Sequence, residues 1–135
     1  MRTSLLALAS LLLLLACGPA SAPDPTTDET TTATSDSGAL HLAMIGHPSP
    51  LVVGDNEVDF LVTDSTGTPV DGLNMTVVPF MPAMDHGTAT TTVVPMGGGH
   101  YSAQNIYAFM PGRWILETTF AGPIDDHATP SFEIQ

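Results

Sequence analysis

From residue 39 to the end of the chain, apolar residues recur at every second position in short runs, and Gly, Pro, Asn and Asp split the runs. A period of two sends alternate side chains to opposite faces of a strand. The pattern predicts seven strands, at 40–45, 57–64, 73–80, 88–94, 101–108, 113–120 and 131–134. In the second, Val58, Phe60 and Val62 share one face while Glu57, Asp59 and Thr63 take the other. In the third, Leu73, Met75 and Val77 point inward. That makes Met75 a thioether filling core space rather than a ligand. Trp114, Leu116 and Phe120 share a face of the sixth. Turns fall at residues 65–69, at Gly97-Gly98-Gly99 and at Pro111-Gly112, where Gly and Pro supply the required backbone angles. No helical period runs through this region. Short strands at such spacing predict an all-β domain, an Ig-like antiparallel β-sandwich of about seven strands. Residues 39–135 suffice for one core, near the small end of what folds without cross-links.

The first 38 residues follow other patterns. Arg2 precedes an apolar run from Leu5 to Ala16, and Cys17 follows it. A positive start, a short apolar run and a small residue before the break read as a secretory signal. The run is shorter than the roughly 20 residues a membrane span needs. A buried helix is the competing reading, and Gly18-Pro19-Ala20-Ser21-Ala22-Pro23 directly after it speaks against one. Leu14-Leu15-Ala16-Cys17 resembles the bacterial lipobox. That resemblance implies cleavage before Cys17 and lipid on its sulfur, with residues 1–16 as signal peptide. Each buried methylene is worth about 0.8 kcal/mol, so several acyl chains anchor a protein durably. Gly18 rather than Asp after the cysteine implies outer-membrane sorting, facing the periplasm or the cell surface. Residues 17–38 are Thr, Ser, Ala, Pro and Asp with no large apolar side chain, and read as a flexible spacer. Its end-to-end distance would be roughly 25 Å.

Charge narrows the partners. The chain has 14 acidic residues against Arg2 and Arg113, and no lysine. Loss of Arg2 with the signal leaves a net charge of −13. Phosphate backbones are bound through Lys and Arg, so nucleic acid is excluded as a partner. Anionic headgroups would repel the domain as well. Cys17 is the single cysteine, so no intrachain disulfide can form and the core alone must hold the fold.

Candidate chemistry concentrates in Met81-Pro82-Ala83-Met84-Asp85-His86-Gly87. With Pro82 at the second position, Met81 to Met84 reads as a β-turn whose ends lie within about 7 Å. His86 lies two residues beyond Met84, so extended backbone would point both the same way. Thioether sulfur favours Cu(I), and imidazole suits copper and zinc. Methionine needs no deprotonation to bind and forms no disulfide, which suits an oxidising compartment. Strands of alternating direction place the loops after the first, third and fifth at one end. Met110 and His47 lie in those loops and are the natural additional ligands. His41, Met96, His100 and His127 fall toward the other end, as a second, weaker site or as none. Asp125-Asp126-His127 reads as an exposed polar loop.

Several stretches together resemble one family. The Met81–Gly87 motif, Gly99-His100-Tyr101-Ser102-Ala103 and Met110-Pro111-Gly112-Arg113-Trp114-Ile115-Leu116 look like the YtkA-like domain. Gly54 and Asn56 before the second strand fit its opening, and Gly67-Thr68-Pro69-Val70 fit the turn after it. The resemblance implies a small, secreted or membrane-attached Ig-like domain, similar to FixH-type proteins linked to copper supply. It therefore implies copper or related metal handling, with a metal-handling or membrane protein as partner. Two readings stand: an envelope lipoprotein that binds Cu(I) through Met81, Met84 and His86 with Met110 or His47, and an Ig-like interaction module that docks a membrane partner without metal. An enzyme is not expected, since no nucleophile–base pair and no phosphate-cradling loop is present.

Overall fold

Alternation decides which side of each strand is buried, and two apolar faces then have only each other to cover them. The structure, a computed structural model, describes residues 28–135. Among these, ten strands form two antiparallel sheets. They are β1 (Thr30–Thr34), β2 (Leu40–His47), β3 (Gly54–Asp64), β4 (Asn74–Met81), β5 (His86–Gly87), β6 (Thr92–Gly97), β7 (His100–Ala108), β8 (Gly112–Ala121), β9 (Asp126–Ala128) and β10 (Ser131–Ile134). The first sheet has the order β1-β2-β3-β7-β6. The second runs β10-β8-β4-β5, and β9 pairs with β8 further along the edge that β10 occupies. The chain is a β-sandwich, as its alternation predicts.

The inward faces agree with the pattern residue by residue. Val58, Phe60 and Val62 are fully buried from β3, and Leu73, Met75 and Val77 face them from the β4 side. Trp114, Leu116 and Phe120 complete the core from β8. Burying side chains of this size is worth about 1.5–3 kcal/mol each, which is the main term holding a domain without disulfides. Tyr101 closes one end of the core. Its hydroxyl donates to the Val70 carbonyl at 2.8 Å and accepts from the Leu73 amide at 3.1 Å. An aromatic body in the core with a satisfied polar tip fixes the loop between β3 and β4.

Three expectations change. The segment read as spacer up to residue 38 already contains β1, which pairs in register with β2 from Thr30↔Ile45 to Thr34↔His41. An edge strand needs only one half-buried face, and Thr31 and Ala33 supply it without a large apolar residue. The strand expected at 88–94 is divided. His86 and Gly87 pair with β4 in one sheet, and residues 92–97 pair with β7 in the other. Between them the chain crosses the edge of the sandwich, held by Thr88 N–H on Pro79 O and Thr91 N–H on Val77 O, both 2.9 Å. The run Thr88-Ala89-Thr90-Thr91-Thr92 carries no apolar alternation to keep it in either sheet. Finally, Asp126 is not in an exposed loop. It is buried in β9, accepts from the Ser37 hydroxyl and amide, and ties the turn between β1 and β2 to the opposite sheet. The proposed signal peptide, Cys17 and the first part of the spacer lie outside the described residues.

Candidate metal centre

The register fixes one pole of the sandwich. Gly54 opposes Ala108, Ile134 opposes Gly112, and Phe80 opposes Ile115. The ends of β2, β4 and β7 therefore meet at the same pole, as alternating strand directions require. Met81 is the last residue of β4 and His86 the first of β5, and the two are direct cross-strand partners. Directly opposed residues project from the same face with Cβ atoms about 4.5–5.5 Å apart. Because Met81 faces the core, only 7% exposed, His86 projects over the same end of it.

The connection between them differs from the expected β-turn. Pro82–Met84 form a single 3₁₀ turn with Met81 still extended before it. The Asp85 amide donates to the Pro82 carbonyl at 3.3 Å, and Asp85 is left-handed at φ 50°, ψ 44°. Aspartate is among the few residues that accept that conformation. The backbone from Met84 to His86 is therefore not extended, and the two-residue spacing does not align their side chains. Met84 is 57% exposed at the tip. Gly87 has no left-handed φ. A Cβ there would lie 3.2 Å from the Pro79 carbonyl oxygen, so the residue is small to let two backbones approach.

His86 is held from the other side by an aromatic pair that the sequence reading passed over. Its ring meets Phe109 edge to face with centroids 5.5 Å apart, and Phe109 meets Trp114 in the same way at 5.0 Å. The Trp114 indole N–H donates to the Met110 carbonyl at 3.1 Å, which fixes the backbone of residues 109–111 over the core. Met110 itself packs half-buried against the core. The signal in the sequence is the pair of aromatics at 109 and 114 flanking Met110; alternation places Trp114 in the core but does not show that Phe109 stacks on His86. Gly112 has φ +125°, and a Cβ on it would stand 3.1 Å from the Met81 methyl. Met81 therefore reaches across from β4 to the start of β8.

His47 does not join this group. It lies on β2 one residue after the buried Gly46, so its side chain leaves the outer face of the first sheet. There its Nε2 sits 3.2 Å from Asp59 Oδ2. The backbone of that sheet separates it from Met81. At the opposite pole, His41 contacts Thr34 Oγ1 and His127 contacts Thr119 Oγ1, each at 3.3 Å. Met96 and His100 share one shallow depression with Asp59, which lies midway along β3. Among the described residues, no three His, Cys, Asp or Glu side chains converge as metal ligands. The candidate side chains left at the first pole are three thioethers, Met81, Met84 and Met110, and the His86 imidazole, and thioether sulfur suits soft monovalent cations better than hard divalent ones.

A family model described as YtkA-like matches residues 34–119, well over half of the chain. The chain belongs to the YtkA-like family. No curated protein and no solved structure matches it. The match begins at the end of β1 and stops within β8, so it contains all five candidate donors and leaves β9 and β10 outside. The matched residues thus include the pole at Met81 and His86, while the buried Asp126 that clasps the other pole comes from beyond them.

Proposed function

We propose that this YtkA-like protein is a cell-envelope lipoprotein, anchored through Cys17, that carries Cu(I) as cargo at the pole formed by Met81, Met84, His86 and Met110. The reading rests on one observation: the register that places Met81 directly opposite His86, beside residues 109–111. Thioether and neutral imidazole donors are soft enough for Cu(I), and a thioether binds without first losing a proton. The partly exposed Met84 suits transfer, since a donor at a loop tip can leave the ion without opening the core. Buffering or delivery is the role proposed for a site whose donors are thioethers and one imidazole.

Titration of the mature chain with Cu(I) against a competing chromophoric chelator tests this. One equivalent should bind. Met84→Leu combined with His86→Ala should weaken it by at least about a hundredfold, the loss of two donors, with an unchanged melting temperature. His47→Ala should bind as the parent does. Unchanged affinity in the double variant overturns the proposal. The competing reading, a docking module without metal, draws on the burial of Met81 and its packing on Gly112. It requires no copper binding in either protein.

A further inference from the structure

We infer that Met84 is a reversible oxidation site that switches the pole off, an inference that rests on the Cu(I) reading above. A hydroperoxide turns its thioether into a sulfoxide, one soft donor is lost, and the fold is kept. Methionine sulfoxidation follows access to the sulfur. The thioethers of this chain divide sharply by that measure. Met44 is fully buried, and Met75 and Met81 are 7% exposed. Met110 is half-buried against the core. Met84 and Met96 stand at 57% and 67% exposed. Met96 lies at the bulge of β6, in the depression with Asp59 and His100, and is no part of the donor pole. Met84 is therefore the one freely reachable thioether among the candidate donors.

The step needs only the peroxide. A lone pair on the Met84 sulfur attacks one peroxide oxygen, the O–O bond breaks, an S–O bond forms and water leaves. Sulfur gives up two electrons and the peroxide takes them. The product is polar and chiral, and its oxygen-bearing sulfur is a poor partner for a soft cation. Position decides that nothing else is lost. Pro82–Met84 bury no side chain, and backbone closes their turn, the Asp85 amide on the Pro82 carbonyl. A sulfoxide at Met84 stays at the surface, where water solvates its oxygen. At Met81 the same oxygen would enter the apolar core beside Gly112, an unfavourable place for a polar group. Exposure also makes the change reversible, because a methionine sulfoxide reductase can reach the tip. It returns the thioether as two thiols become a disulfide and the oxygen leaves as water.

The test treats the full mature chain, free of metal, with hydrogen peroxide and maps the added oxygen by peptide mass. Once the peroxide is removed, Cu(I) is titrated against a chromophoric chelator. Met84 and Met96 should gain oxygen before Met44, Met75 and Met81. Cu(I) affinity should then fall by about tenfold, the loss of one donor, with an unchanged melting temperature. The two sulfoxide reductases, one for each epimer, should restore it with dithiothreitol that is removed before titration. Met96→Leu should show the same fall on oxidation, and Met84→Leu, already weaker, no further fall. Oxidation of Met81 as early as Met84, or a fall that persists in Met84→Leu, overturns the inference. If the parent binds Cu(I) and oxygen on Met84 leaves the affinity unchanged, the switch is lost while the carrier reading stands on the other three donors. If the parent binds no Cu(I), both are lost.

Discussion

Gly112 shows how one residue carries both fold and site. Its φ of +125° is open to glycine and strained for any other residue, and the Met81 methyl fills the space a Cβ would need. Gly112→Ala is expected to cost about 1–3 kcal/mol, read by urea unfolding with Trp114 as the fluorophore. It should also displace Met81 and lower Cu(I) affinity in the same protein. Asn56 is the matching case at the other end of the loop beside the pole. Buried, it accepts from the Val52 amide at 2.9 Å and donates to the carbonyls of Val52, Gly54 and Ile106. Sequence could mark Gly54 and Asn56 as an opening to a strand. It could not show that one amide side chain satisfies four backbone groups, because those groups come from both β7 and the loop.

At the scale of elements, Asp126 joins parts that are far apart in the chain. The Ser35 hydroxyl, then the Ser37 hydroxyl, holds its carboxyl down to about 2 against the ordinary carboxylate value. A group whose folded pKa lies below its unfolded one stabilises the fold above the unfolded value of about 4, and that contribution is lost as pH falls toward about 2. Melting temperatures between pH 6 and pH 2 should therefore drop through that interval in the parent. In Asp126→Asn that component should be missing and the stability at pH 6 lower. Hydrogen exchange should report the local consequence, faster exchange in β1, since the turn between β1 and β2 loses its hold on β9. The Asp125-Asp126-His127 triplet reads as an exposed loop because three polar residues in a row carry no alternation. Only the serines of a distant turn make burial of its middle member affordable.

Across the whole molecule, charge opposes compaction. With 14 acids against two arginines and a single cysteine, the folded state repels itself and relies on its core. Raising salt from about 10 mM to about 0.5 M shortens the Debye length from about 30 Å to a few ångströms. The melting temperature of the mature chain should rise by a few degrees over that range, with little change in the slope of denaturant unfolding. A falling melting temperature would show that attractive pairs such as His47–Asp59 outweigh the repulsion.

The alternation of apolar and polar positions was enough to determine the sandwich, the inward set of β3, β4 and β8, and the gathering of Met81, His86 and Met110 at one end. Each follows from a period of two and from strands that reverse direction. Tertiary structure alone decided the rest. It assigned β5 and β6 to different sheets, turned His47 out toward Asp59, and set His86 against Phe109 and Trp114. These outcomes depend on which edges and faces pack together, and a local pattern of side chains carries no record of neighbours that lie a whole sheet away.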